Sequence, residues 1–471
     1  MIEGLIYFSP MLILLIAAFV LIFGEHEEDE QYRCFRFSRI MLLSSFLLEI
    51  IFYNKPSILT LSQGTLFTLV FECLLYGGAL TLLYLSRKWF ASMHHQAYIF
   101  CGFLFLCLIS EMLMVSSTNL CLTIGCAVML MFGNYVILYD SNNQKDFNIG
   151  TRIYMISSLL CVLLLMGAVG ILHTLCGSLD YKVLRVYLDI NQSDMFVFAA
   201  GAMLIIPFLF LLGLAPMHFW LTETLGKTIL PVFSYFVLMS VIGAWGSFIH
   251  LNIAVLAPLA TYFKTFYIAI ALLSVGVGAV GACSGQNIRK IFAYIAVYNA
   301  GIILLTLRRF TPNALNAGFC YMFTYLLAMF GICTCLFGLK RKGEYLFMVS
   351  EFEGAAQKRP YISAMMVIFM FSLLGLPPFS GFFGLFSALN YQALHHHFYQ
   401  LIYLLTMMLV VGYAFLQLLR VLYVEEHKTS FDRADSGIYA AILLNAVLMS
   451  VIMALPQFLA EDVRTMLETV F

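Results

Sequence analysis

Apolar runs of roughly twenty residues recur along this chain, separated by short polar segments. Fourteen can be counted, with approximate cores at 4–23, 38–53, 65–86, 96–116, 119–139, 153–175, 194–215, 229–250, 265–284, 288–307, 316–338, 361–389, 399–423 and 437–456. A helix of about 20 such residues spans the hydrocarbon core of a bilayer. The second run is the shortest and carries Glu49 near its end, where a carboxylate is expected to reach the headgroups. The segment 250–263 is expected to lie at an interface, as is the mildly amphipathic tail 458–471. The most polar loops, 24–38, 140–152, 176–193, 339–360 and 424–436, are too short for a soluble catalytic domain. The pattern predicts an all-α polytopic membrane protein, a single domain over 1–471 with about fourteen transmembrane helices.

One run departs from the simple pattern. The stretch 361–389 is interrupted midway by Pro377 and Pro378, with Gly375, Gly381 and Gly384 clustered around them. A double proline removes two backbone donors and clashes with the preceding turn. Two readings follow: a proline kink in a packed helix, or a broken helix of the kind that lines sites at mid-membrane depth. Pro216, at the end of the seventh run, is a second such interruption.

Composition excludes most other classes. The chain is 62% hydrophobic and 11% charged, with a mean hydropathy of +0.94, outside the range of soluble globular proteins. A net charge of zero gives no reason to expect a nucleic-acid partner. The twelve cysteines lie mostly in apolar runs, without a CxxC pair, and read as packing residues rather than disulfides or metal ligands. Three consecutive histidines, His395, His396 and His397, would point in different directions on a helix and make a poor metal site. The N-terminus lacks a basic region and a small-residue cleavage site, so it is read as a retained first span. No P-loop or HExxH is present, so redox or nucleotide chemistry would have to belong to a partner.

Charge placement gives orientation. With the runs numbered in order, loops leading from odd to even spans hold 18 of the 25 Lys and Arg residues. The opposite loops hold six: Lys55, Lys182, Arg185, Lys264, Arg308 and Arg309. Cationic loops stay on the side from which insertion occurs, so both termini are expected on the other side.

Three blocks carry a more specific signal: LGLAPMHFWLTETLGKTILPV at 212–232, QNIRKIFAYIAVYNAG at 286–301, and GAAQKRPYISAMMVIFMFSLLGLPPFSGFFG at 354–384. Together they resemble subunit 2 of respiratory NADH:ubiquinone oxidoreductase (complex I), of the antiporter-like subunit family. Ala215, Pro216, His218, Phe219, Trp220, Glu223 and Pro231 match one family motif. Ile288 to Tyr294 with Gly301 match a second; Ser372, Leu373, Gly375, Pro377, Pro378, Gly381, Phe382 and Gly384 match a third. The HFW signature is closer to subunit 2 than to its sister subunits or to the multisubunit cation/proton antiporters. The resemblance implies two inverted five-helix repeats, spans 4–8 and 9–13, with broken helices at spans 7 and 12. It divides the chain into helices 1–3 (1–90), a first repeat (96–250), a second repeat (265–423), and a last helix with its tail (437–471). It also implies a membrane-arm subunit of a proton-translocating NADH:ubiquinone reductase. This chain itself would carry no cofactor: NADH, FMN, iron–sulfur clusters and ubiquinone would be bound by partner subunits. Its partners would be other membrane-arm subunits, including neighbouring antiporter-like ones, and membrane lipids, with no nucleic acid. An all-membrane chain rich in Phe, Leu and Cys points to the mitochondrial inner membrane, with both termini on the intermembrane-space side.

The chain departs from the family where the chemistry is expected. The family moves protons with a Glu on span 5 and lysines on spans 7, 8 and 12. Carried across, those positions are Ala127, Leu211, Val241 and Leu385, and the histidine of the second motif is Asn299. The apolar cores of these four spans contain no Lys or Glu. Alanine, leucine and valine cannot relay a proton, because none gains or loses charge.

The remaining polar residues each have two readings. Glu72 and Glu111 are candidate proton-path groups, or interface carboxylates paired with a headgroup or loop Arg. Glu223 and Lys227, four apart, read as a surface pair. Lys264 is an interfacial anchor or a relay, and Arg289 with Lys290 fits anchoring or headgroup contact. The sequence thus predicts a complex I membrane-arm subunit whose own proton channel is in doubt. The alternatives are an independent proton/cation antiporter and a purely structural membrane scaffold.

Overall fold

A computed structural model of the chain describes residues 8–24, 31–52, 62–93, 97–140, 149–425, 431–456 and 463. The tail predicted to be amphipathic lies almost wholly outside them. The chain forms two compact units, and each is interleaved in sequence. The first comprises Met1–Leu212 with Ser234–Tyr262; the second comprises Gly213–Phe233 with Phe263–Leu467.

The first unit holds α1 (Ser9–Phe23), α2 (Gln31–Phe52), α3 (Leu66–Met93), α4 (Ala97–Ser116), α5 (Leu120–Asp140), α6 (Ile149–Cys176), α7 (Tyr181–Ile190) and α8 (Met195–Leu211). Next come α9 (Phe219–Leu225), in the second unit, and α10 (Leu230–Ala254), most of which belongs to the first. The second unit continues with α11 (Ala260–Cys283), α12 (Ile288–Leu307), α13 (Pro312–Gly338), α14 (Ala355–Lys358), α15 (Pro360–Leu373), α16 (Ser380–Leu394), α17 (Phe398–Tyr423) and α18 (Ser436–Ala454). Each apolar run of the sequence is met by helix. Among the described residues, ten helices are long and apolar enough to cross a membrane, and α1, α8 and α15 are shorter apolar helices.

The helix ends follow local chemistry. Asp194 caps α8 by accepting from the Phe196 N–H, and Asn287 caps α12 by accepting from Arg289 and Lys290. Pro312 opens α13, where its missing N–H costs nothing. Burial sorts the helices by role. Helix α12 is almost wholly buried, while α6, α17 and α18 leave broad rows of Leu, Ile and Val exposed, as lipid-facing helices do.

Two features differ from expectation. The loop 176–193 contains α7, an amphipathic helix that buries Tyr181, Leu184 and Leu188 and leaves Val183, Val186 and Ile190 exposed. The segment 250–263 is a mostly buried connection, because Leu251, Val255, Leu256 and Leu259 all turn inward. A short 3₁₀ turn there, Ala257–Leu259, packs against α7.

Both proline interruptions are real breaks. Helix α8 stops at Leu211 and α9 starts at Phe219; α15 stops at Leu373 and α16 starts at Ser380. The sequences across them are LGLAP and LGLPP. In both, the residue after the helix bonds back into it, Leu212 N–H to Phe208 and Leu374 N–H to Met370. The glycine that follows is left-handed, Gly213 at φ 65° and Gly375 at φ 71°. That is the glycine helix stop, open at low cost only to a residue without Cβ. Pro216 and Pro378 follow three residues after each glycine, and the Ala215–Pro216 and Pro377–Pro378 peptides are both cis.

Candidate functional site

The four family positions are buried and apolar. Ala127 on α5, Leu211 at the end of α8 and Val241 on α10 all face the interior of the first unit. Leu385 on α16 lies in the second unit, where its side chain covers Gly375 at the break: a Cβ there would stand 2.5 Å from Leu385 Cδ2. Where the family has a lysine, this chain has a hydrophobic cover for the broken backbone.

Polar groups occur elsewhere in the same interior. Glu111 on α4 is fully buried, and neither carboxyl oxygen has a hydrogen-bond partner among the described residues. It occupies space left by Gly243 on α10, two residues from Val241; a side chain at Gly243 would collide with it. The Glu111 carboxyl therefore belongs to the interface between α4 and α10, not to the membrane surface. One turn before it, Cys107 donates a weak bond to Asn134 Oδ1 at 3.7 Å. Asn134, on α5, accepts a stronger bond from Tyr235 Oη on α10 at 2.7 Å. Tyr154 on α6 donates to the Met131 carbonyl at 3.2 Å. Four helices thus bring polar side chains into one buried region, with Glu111 as its ionisable carboxyl group among the described residues. Its chemistry is that of an isolated proton acceptor and donor beside hydroxyl and amide groups that can orient water.

Glu72 belongs to a different cluster. It sits on α3 with Glu49 of α2 as its electrostatic neighbour, and both are buried. Beside them Tyr76 Oη and Ser45 Oγ are 2.6 Å apart, and Ser45 donates to the Pro10 carbonyl of α1. Glu49 does not reach the headgroups as expected. Helix α2 continues past it to Phe52, and packing of α2 on α3 turns it inward. The surface reading of Glu72 and Glu111 fails for the same reason: tertiary packing covers both, and no Arg pairs with either among the described residues.

In the second unit the expected Glu223–Lys227 pair does not form. Helix α9 ends at Leu225, so the four-residue spacing is not carried onto Lys227, which is exposed. Glu223 instead accepts from Lys290 Nζ at 2.6 Å. Arg289 is buried, donates to the Thr228 carbonyl and lies over the Phe347 ring at 4.9 Å. Both cations brace α9 and its following turn to α12 rather than anchoring the chain to lipid. Asn299, at the family's histidine position, accepts from Tyr321 Oη on α13 at 2.5 Å. Lys264 is half-buried near the start of α11, with Arg308 and Arg309 as its electrostatic neighbours. The sequence did not single out Asn134, Tyr235, Tyr154 or the burial of Arg308. Their signal was only that polar residues stand inside apolar runs, a signal shared by many Ser and Thr that merely bond their own helix.

Comparison with known proteins agrees with this architecture. The family model described as NADH:quinone oxidoreductase/Mrp antiporter, transmembrane region, matches residues 116–412. The NADH-quinone oxidoreductase subunit N of Parvibaculum lavamentivorans is 24% identical over 311 residues, 66% of this chain and 64% of that protein. That match spans just under two thirds of the relative's length. The subunit N of Beijerinckia indica subsp. indica is 22% identical over 396 residues, 84% of this chain and 82% of that protein. Among solved structures, a chain of respiratory complex I from Thermus thermophilus superposes with a TM-score of 0.79 at 21% identity, covering 96% of this chain and 99% of that one. A chain of the Mrp complex from Dietzia sp. DQ12-45-1b superposes with a TM-score of 0.83 at 15% identity, covering 99% and 97%. These likenesses carry the fold. The matched region takes in the first break, the Glu111-facing part of α10 and the second break, and the chain belongs to the NADH:quinone oxidoreductase/Mrp antiporter transmembrane family.

Proposed function

We propose that this chain is an antiporter-like subunit of the membrane arm of a proton-translocating NADH:quinone oxidoreductase, and that it lacks the lysine relay of its family. The observation that carries the second half is the apolar filling of the relay positions, Ala127, Leu211, Val241 and Leu385, all buried. A buried lysine can be switched by a nearby carboxylate; a leucine cannot. The chain keeps the broken helices and the tightly packed interior, which hold neighbouring subunits in register. NADH, FMN, iron–sulfur clusters and quinone belong to those partners. The repeat division at 96–250 and 265–423 is part of this reading, supported by the two matching breaks. The membrane is an energy-transducing one: the mitochondrial inner membrane or its bacterial counterpart, the latter supported by the bacterial relatives. Both termini face the side opposite the basic loops.

Glu111 is the group through which any remaining proton step in the first unit would pass. A scaffold without transport is the second reading, favoured by the missing lysines. The test is protons moved per NADH oxidised by the intact complex in sealed vesicles. The comparison is a complex whose corresponding subunit keeps its lysines. A lower ratio is the expected result. An undiminished ratio that falls on Glu111→Gln would show a rerouted path. Failure of the chain to co-migrate with an NADH-oxidising complex on a native gel would overturn the assignment and favour an independent antiporter.

A further inference from the structure

The second unit buries a cation without an anion. Arg308, just past the end of α12, is fully buried. Its Nη1 donates to the Leu305 carbonyl at 2.6 Å and to Gln392 Oε1 on α16 at 2.7 Å, and its guanidinium lies 5.7 Å from the Tyr391 ring centroid. Nε and Nη2 have no partner among the described residues. A guanidinium carries five N–H donors, so three of them are left without an acceptor. An unpaired buried guanidinium is among the most costly groups a protein can carry.

Its electrostatic neighbours increase the imbalance. Arg308, Arg309 and Lys264 act on one another, and all three with His395 act on His397. Among the described residues no carboxylate joins these neighbours. Lys264 and His397 are half-buried, and Arg309 is exposed, so the cluster has a closed floor and an open rim. Burial, then Arg308, Lys264 and Arg309, hold the His397 imidazole below its ordinary range, as a local excess of positive charge requires.

The rim is set in an apolar, aromatic surface. Phe266, Leu394, Phe398 and Tyr399 are exposed on the elements that carry the cluster. Exposed Tyr and Phe beside cations mark headgroup depth in a bilayer. This setting selects a lipid over a solute from the aqueous phase.

We propose that Arg308, Lys264, Arg309 and His397 form a binding site for the phosphate of an anionic membrane lipid. The one free edge of the Arg308 guanidinium, Nε with Nη2, offers two donors that match two phosphate oxygens, the geometry in which arginine outperforms lysine. The rim cations complete the charge. The site does not depend on whether the chain moves protons.

The test is native mass spectrometry of the full-length chain in detergent. It would be titrated separately with phosphatidylglycerol, cardiolipin, phosphatidylcholine and inorganic phosphate. The expected result is at least five-fold stronger retention of the two anionic lipids than of phosphatidylcholine. The double variant Lys264→Gln/Arg309→Gln, which leaves the buried Arg308–Gln392 bond in place, should bring the anionic lipids down to the phosphatidylcholine level without changing the unfolding temperature. Arg308→Gln should do the same where it folds. Equal retention of all lipids, or a preference that survives the double variant, would overturn the proposal. Inorganic phosphate bound as tightly as the lipids would overturn it in favour of a soluble anion.

Discussion

The two units share local designs and differ in what they bury. The chain's two breaks share the form LGLxP with a left-handed glycine, and both glycines, Gly213 and Gly375, lie in the second unit. Each unit has a buried Tyr-to-Asn hydrogen bond, Tyr235 to Asn134 in the first and Tyr321 to Asn299 in the second. Yet the first buries three carboxyl groups, Glu49, Glu72 and Glu111, and no Lys or Arg among its described residues. The second buries Arg289 and Arg308 and, among its described residues, no Asp or Glu. A family that works by pairing the two kinds of charge is here divided into one acidic and one basic interior. Recurrent backbone geometry therefore does not bring recurrent chemistry with it.

The two breaks, alike in backbone and both with their glycine in the second unit, offer the largest expected effect. A Cβ at Gly381 would collide with the Ser372 carbonyl, a backbone atom that cannot move aside. Gly381→Ala should cost about 3 kcal/mol, seen as a lowered unfolding midpoint. The equivalent offset in the first break is Phe219, already a large and exposed side chain. Phe219→Ala should cost about 1 kcal/mol. Equal effects would mean that the two breaks are packed alike beyond their prolines.

Glu111→Gln comes next. The side chain keeps its volume beside Gly243, so stability should change by roughly 1 kcal/mol or less. Protons moved per NADH should fall if the acidic interior is used, and stay constant if the chain is a scaffold. The tyrosines sharpen this. Tyr321→Phe should cost about 1–2 kcal/mol, leaving Asn299 Oδ1 short of its donor. Tyr235→Phe should cost less, about 1 kcal/mol, because Cys107 still donates to Asn134. Only Tyr235→Phe should alter the proton ratio. An equal change from both variants would remove the distinction between the two interiors.

The smallest effects lie at the rims. Lys290→Met should cost at most about 1 kcal/mol, since its pair with Glu223 is half-exposed, and Lys227→Met roughly nothing. His397 is held below the ordinary histidine range. Its contribution to stability is full above the unfolded pKa and is lost as pH falls through the lower folded value. Acidification should therefore lower the unfolding midpoint slightly, and His397→Asn should abolish that part of the slope.

Hydrophobic periodicity determined most of this protein. Runs of about twenty apolar residues have few ways to satisfy their backbone in a membrane except as helices, so element type and order were legible. The breaks were legible too, because Pro377, Pro378 and Pro216 stop a helix whatever surrounds them. So was the loss of charge at Ala127, Leu211, Val241 and Leu385, since no lysine stands in those runs to take its place. What the remaining polar residues do was decided only by tertiary packing. Glu49 lies near a helix end in sequence but faces Glu72 across α2 and α3. Glu223 lies four residues from Lys227 but meets Lys290, because α9 ends between them. Glu111 has both a proton-path and an interface reading, and Arg308 reads as a loop charge, until α10 and α16 close over them. In a helix that is apolar all round, period gives no preferred face. The direction in which a lone polar side chain points is then set by its neighbours from distant parts of the chain.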